Sequence, residues 1–302
     1  MNVGALSARE LETRLAGPGL EVQLGPFVAR IRTRFAALVP PLNQLYDQHE
    51  VDPPGIVDFD VQVQPSRGPR RGLQACFMAD GRKPFWPLPA AHMLPALEWG
   101  INWCIATRSN HLLMLHSAVV ERGGSAIVFP AWSGHGKSTL CTALVHSGWR
   151  LLSDEFGLVR PEDGALVPVP RLIPLKNESI EVIRRFRPEA VIGPSFHGTR
   201  KGTVAHVRPP ADSVRRVHET ARPRLFVFPR WVEGAPLTIE PVDKGEAFLM
   251  VATNAFNYET LGEIAFDLVR EMVRTCDCHA LTYSNLDEAV AALDTLGGAV
   301  DA

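Results

Sequence analysis

The spacing of apolar residues along the chain changes period several times, and each period predicts an element. Between Phe27 and Tyr46, Val28, Ile31, Phe35 and Leu38 recur at helical spacing, so a helix is expected there, interrupted or ended by Pro40-Pro41. Ile56 to Val63 alternates with period two and reads as a strand, with Leu73 to Met78 as its partner across the basic loop Arg67 to Arg71. Ala91 to Arg108 predicts a helix with Leu94, Leu97, Ile101, Cys104 and Ile105 on one face. Trp99 and Trp103 are four apart on that helix and are expected to serve packing rather than a ligand. Residues 1–108 are thus expected to form a small α+β accessory domain, and residues 109–302 a second, larger one.

The second stretch is denser in strand signals. Runs at 112–121 and 125–129 predict two strands, 138–146 a helix stopped by Gly148, and 150–155 a further strand. A hairpin is expected through Pro161-Glu-Asp-Gly164, then a helix over 180–186 with Asn177 as its cap. Leu225 to Phe228 and Leu237 to Glu240 read as strands. Tyr258 to Thr275 reads as one amphipathic helix, and Ser284-x-x-Asp287 as a capping box opening the last helix. His116 is the polar interruption of the first apolar run. A lone His in a strand is more often a hydrogen-bonded core residue than a catalyst.

Composition adds mainly exclusions. Over 302 residues the chain is 46% hydrophobic and 21% charged, with a formal net charge of −2, the profile of an ordinary globular protein. That balance does not suggest nucleic acid as a partner. No apolar run approaches a membrane span, and the mixed polar N-terminus does not read as a signal peptide, so a cytoplasmic location is expected. Five scattered cysteines do not make a disulfide scaffold. Cys276-Asp-Cys278-His279 could ligate a metal in principle, but lacks a second pair to complete a tetrahedral site.

The stretch Pro130-Ala-Trp-Ser-Gly-His-Gly-Lys-Ser-Thr139 changes the picture most. Gly134, Gly136, Lys137 and Ser138 match the second half of a phosphate-binding loop, with Ala131 where the pattern G-x-x-x-x-G-K-[ST] has its first glycine. Small residues let successive backbone N–H groups point at an anion, a Lys reaches the β- and γ-phosphates, and a Ser hydroxyl ligates Mg²⁺. The expected nucleotide-binding segment is therefore Ser133, Gly134, His135, Gly136, Lys137, Ser138 and Thr139. An apolar strand before it and a helix after it would aim a helix N-terminus at a phosphate. Asp154 and Glu155 close the next apolar run, where a Mg²⁺–ATP site needs carboxylates. Asp154 is the expected general base or metal-linked carboxylate, and Ser138, Asp154 and Glu155 are the candidate metal ligands. Thr199-Arg-Lys-Gly202 offers Arg200 and Lys201 as phosphate or substrate contacts, against an equal reading as a solvated loop.

Taken together, His116, the loop and Asp154-Glu155 resemble the catalytic core of HPr kinase/phosphorylase, and more distantly that of ATP-dependent phosphoenolpyruvate carboxykinase. His116 stands 15 residues before Ala131, and Asp154 stands 17 after Lys137, spacings similar to those of the kinase family. Over residues 90–300 the chain looks most like HPr-kinase-related proteins of peptide- and natural-product-modification clusters. The resemblance implies an α/β P-loop core with a mixed sheet, ATP and Mg²⁺ as cofactors, and phosphorylation of a serine hydroxyl on a peptide or small protein. It also implies Asp154 as base, Glu155 on the metal, His116 near the transferring phosphate, Lys176 as an added cation, and a homo-oligomer. Ala131-Trp132 stands where the family has Gly-Asp, and Glu155 where it usually has Asp. Pro174-Leu-Lys-Asn177 replaces a Glu- and Arg-containing segment. These departures bear on the phosphorylase reaction and on HPr as substrate more than on kinase chemistry. A small-molecule kinase and a nucleotide-binding regulator without turnover are the other readings.

Overall fold

A computed structural model describes residues 1–68, 72–131 and 134–300 of the chain. The first 108 residues carry α1 (Ala8–Ala16), β1 (Leu20–Leu24), β2 (Phe27–Thr33), α2 (Val39–Leu45), β3 (Phe59–Gly68), β4 (Gly72–Ala79), β5 (Leu88–Pro89) and α3 (Met93–Arg108). Next come β6 (Leu113–Leu115), β7 (Ser117–Arg122), β8 (Ser125–Pro130), α4 (Lys137–Val145), β9 (Arg150–Ser153), β10 (Gly157–Val159) and β11 (Leu166–Val167). They are followed by β12 (Ile173–Lys176), α5 (Glu178–Phe186), β13 (Phe196–Thr199), β14 (Gly202–Val207) and α6 (Ala211–Arg215). The chain closes with β15 (Arg222–Trp231), β16 (Thr238–Pro241), α7 (Lys244–Thr253), α8 (Tyr258–Leu261), α9 (Glu263–Thr275), β17 (Asp277–Tyr283) and α10 (Leu286–Val300). The fold is mixed α/β. No helix among the described residues is long and apolar enough to cross a membrane.

The elements divide into two compact units. The first comprises Met1–Arg108, Leu172–Arg184 and Glu189–Arg215; the second comprises Ser109–Arg171, Arg185–Pro188 and Arg216–Ala302. Residues 172–184 and 189–215 were expected in the second domain. They group with the first because their sheet, in the order β12-β14-β13, is fastened to it. Arg208 pairs with Asp47 at 2.6 Å, His92 Nε2 meets the His197 carbonyl at 2.8 Å, and a Cβ on Gly193 would lie 2.8 Å from Leu45.

Within the first unit a five-stranded sheet runs β1-β2-β3-β4-β5, parallel only between β2 and β3. Helix α3 crosses it so closely that a Cβ on Gly100 would sit 2.0 Å from the Phe77 ring. The expected helix from Phe27 to Tyr46 is not one. Phe27–Thr33 is a strand paired with β1 through a Gly25-Pro26 turn, and only Val39–Leu45 is α-helical. Backbone pairing across that turn overrides the helical spacing, since Phe27, Val28, Ala29 and Ile31 are all buried in the sheet. Helix α1 opens with a full capping box between Ser7 and Glu10. Trp103 packs edge-on against Phe85, and Trp99 lies under the Lys201 ammonium at 5.7 Å.

In the second unit a six-stranded sheet has the order β16-β17-β15-β8-β7-β9. Strands β17, β15 and β8 are mutually parallel, while β7 runs against both β8 and β9. Consequently β9 runs with β8. The carboxyl ends of β8, β9, β15 and β17 and the amino end of β7 all share one edge of the sheet. Val119, Val128, Leu152 and Phe226 on the strands pack with Val251, Val269 and Met272 of α7 and α9 in one core. A smaller antiparallel sheet, β11-β10-β6, completes the unit.

Four further expectations are corrected here. The run 112–121 is two strands, because β6 pairs with β10 and β7 with β8 and β9, and His116 is the residue between them. The helix over 258–275 breaks at Gly262, whose φ of +56° no continuous helix accommodates. The last helix is capped by Asn285, whose Oδ1 accepts from the Asp287 and Glu288 N–H groups; Ser284 Oγ instead donates to the Ala235 carbonyl. Asn177 likewise takes its side-chain contact away from α5, accepting from the Thr203 N–H at 3.0 Å.

Candidate functional site

Strand β8 delivers the chain to Ala131, buried at the sheet edge, and the loop turns into α4 through two glycines. Gly134 has φ +98° and Gly136 φ +85°, the left-handed region that glycine enters without strain. At Gly136 there is also no room for a side chain: a Cβ would stand 2.6 Å from Tyr283 Oη and 2.9 Å from Trp231 Cβ. Gly136 is the N-cap of α4, and no side chain bonds the helix end there among the described residues. The first-turn N–H groups of Lys137, Ser138 and Thr139 have no intrahelical acceptor, as at any helix start, which leaves them available to an anion. His135 is exposed beside them, while Ser133 and Trp132 lie outside the described residues.

Lys137 is 8% exposed, and its Nζ has no hydrogen-bond partner among the described residues. Removing an ammonium from water without a partner is costly, so this side chain fits a site that receives negative charge. One helical turn on, Cys141 is fully buried. Burial pushes its thiol well up, the Asp154 charge and a hydrogen bond to Asp154 add to that, and the Lys137 charge pulls the other way. Lys137, Cys141 and Asp154 therefore share one electrostatic neighbourhood. Sequence reasoning missed Cys141; the signal was its position four residues after Lys137 on the same helix face.

Asp154 and Glu155 lie in the bend that ends β9, which frees them from the strict alternation of a strand. The bend is held by Ser153 Oγ, which accepts from the Glu155 and Phe156 N–H groups at 3.4 and 3.0 Å. Asp154 is buried, and Glu155 reaches His116, with 3.9 Å between Glu155 Oε2 and His116 Nε2. The His116 N–H donates to the Asn254 carbonyl at 2.6 Å, and its ring packs against Phe256 with centroids 5.3 Å apart. Phe256 packs equally against Phe156 and is 52% exposed. Nothing local in the sequence marks Asn254 and Phe256 as neighbours of His116.

Of the residues expected to act, His116, Gly134, His135, Gly136, Lys137, Ser138, Thr139, Asp154 and Glu155 are placed along one edge of the second unit's sheet. Lys176, at the end of β12, and Arg200 and Lys201, between β13 and β14, belong to the first unit. There the Lys201 N–H donates to Thr199 Oγ1 at 3.1 Å.

Among the described residues no group of three or more His, Cys, Asp or Glu side chains could hold a metal by itself, and the Cys276–His279 segment forms none. A hard divalent ion held between phosphate oxygens needs only one or two protein ligands. Ser138 with Asp154 or Glu155 suffices for that, and Lys137 with the α4 N-terminus fits a polyphosphate. No protein-family model matches the chain, and no curated protein sequence matches it.

Proposed function

We propose that the second unit is a kinase with a P-loop core of HPr-kinase type, transferring the γ-phosphate of ATP to a hydroxyl. The acceptor in this reading is a serine of a peptide or small protein. The observation that carries it is the buried Lys137 ammonium, without a partner among the described residues, at a glycine-turned helix start with Asp154 in its electrostatic neighbourhood. A polyphosphate would supply counter-charge to Lys137, and a carboxylate in the same neighbourhood suits moving a proton or holding a metal.

Each residue then has a definable task. Lys137 Nζ and the first N–H groups of α4 offset phosphate charge and fix the chain of phosphates along the helix axis. Ser138 Oγ and one carboxylate would hold Mg²⁺, which would supply further neutralisation of phosphate charge. Asp154 accepts the acceptor's hydroxyl proton, while the buried Cys141 thiol, neutral through burial, donates to it and orients it. His116, 3.9 Å from Glu155, fixes that second carboxylate at the rim.

Transfer of label from γ-labelled ATP to peptides encoded beside the gene tests the reading. Asp154→Asn should lower transfer about 10²–10⁴-fold while ATP still binds. Undiminished transfer by that variant removes Asp154 from the role of base.

A further inference from the structure

The second unit exposes a large aromatic side chain at the same sheet edge. Trp231 is the last residue of β15, which lies beside β8 and parallel to it, so it emerges next to the loop. Its indole is 45% exposed, yet its backbone is tied down. The Trp231 N–H donates to the His135 carbonyl at 3.2 Å, and its Cβ lies 2.9 Å from where a Cβ on Gly136 would stand. The indole N–H donates to the Ser284 carbonyl at 3.3 Å, which fixes the ring's tilt. The indole is thus held in place and still half open to solvent, beside a loop whose Lys137 ammonium is buried without a hydrogen-bond partner among the described residues.

The sheet order gives this position its meaning. In β16-β17-β15-β8-β7-β9 the loop follows β8, the carboxylates follow β9 on one side, and Trp231 follows β15 on the other. A nucleoside triphosphate whose phosphates lie at the α4 N-terminus, with its γ end toward Asp154, has its base on the β15 side. Ligands of α/β sheets bind at the carboxyl ends of strands, and stacking on an aromatic face is available to every base.

Resting on the nucleotide-binding reading above, we propose that Trp231 is the nucleobase platform of the site, taking the base of a nucleoside triphosphate on its indole face. Because its N–H is already engaged by Ser284, Trp231 contributes stacking and no edge recognition. It therefore favours a base over none, without choosing strongly between adenine and guanine.

Calorimetry on the full chain with ATP, GTP and inorganic tripolyphosphate tests this. Trp231→Ala should weaken ATP and GTP about tenfold or more and leave tripolyphosphate unchanged, which also reports that the loop is intact. Trp231→Phe, keeping an aromatic face, should restore most of the loss. Unchanged ATP affinity in Trp231→Ala overturns the platform. So does an equal loss for tripolyphosphate, which would make Trp231 a support of the loop rather than a contact to the base. Wild-type protein that binds neither ATP nor tripolyphosphate overturns the nucleotide-binding reading itself, a result distinct from either of these.

Discussion

The buried hydroxyl of Tyr283 donates to the carbonyl of Gly136 at 3.3 Å, locking the residue that turns the loop into α4. This relationship separates the two glycines of the loop. A Cβ on Gly136 meets Tyr283 Oη at 2.6 Å in addition to its left-handed φ, whereas one on Gly134 meets nothing within 4 Å. Gly136→Ala should cost about 2–4 kcal/mol, combining backbone strain with a clash, and Gly134→Ala about 1–2 kcal/mol. Urea midpoints of the two variants check the difference; equal losses would contradict it.

Lys137 predicts a loss of binding without a matching loss of stability. Its buried ammonium lacks a hydrogen-bond partner among the described residues, so an apolar replacement of similar length removes a penalty. Lys137→Met removes that penalty but also takes a positive charge from the neighbourhood of the buried Asp154, so the two effects offset and ligand-free stability should change by less than about 1 kcal/mol while ATP binding is abolished. Thermal melts with and without ATP check both halves.

Arg150 and Glu121 form a buried ion pair in the second unit, at 3% and 1% side-chain exposure. Arg150 also donates to the Arg216 and Glu219 carbonyls at 2.9 Å, and Glu121 accepts from the Gly124 N–H at 2.6 Å. Arg150→Met leaves the buried Glu121 carboxylate with only the Gly124 N–H and the longer Arg216 contact at 3.6 Å, and should cost about 3 kcal/mol. Adding Glu121→Leu should recover a large part of that loss, as a double-mutant cycle by chemical denaturation would show.

The strand–loop–helix at 125–145 was legible in the sequence because its signals are local: an apolar run, glycines, then a helical face. The helix expected at Phe27 was not, because Val28 and Ile31 keep helical spacing yet lie on a strand buried on both faces, and Phe35 and Leu38 fall beyond its end. What decides is pairing across Gly25-Pro26. The surroundings of His116 were illegible for a different reason. Its neighbours Asn254 and Phe256 come from the far end of the chain and are brought in by sheet assembly. Trp231, the proposed base platform, was invisible for the same reason.

Alkaline pH should destabilise the protein. Burial raises the Cys276 thiol from 9.0 to about 12 and pushes Cys141 well above its ordinary value. Below pH 9 both states carry the protons and nothing is lost. Between about pH 9 and 12 the unfolded chain ionises these thiols and the folded one does not, so stability falls as pH rises. Denaturation midpoints between pH 8 and 11 check the slope. Cys276→Ala should flatten it while itself costing about 1–2 kcal/mol for the lost packing.

His116 sits where the chain leaves β6 of one sheet and enters β7 of another, and it is positioned by both. On the β6 side the backbone is stitched down by Asn257, which accepts from the Met114 N–H and donates to the Leu112 carbonyl, and by the Phe256 N–H bonded to the Met114 carbonyl. On the β7 side it is continuous with the strand beside the loop. A substitution in the 254–257 segment would therefore swing the imidazole while leaving the Lys137 cradle as it is. Under the proposed function, the placing of Glu155 by His116 and the grip of Lys137 on phosphate would then rest on separate supports, so drift in one need not disturb the other.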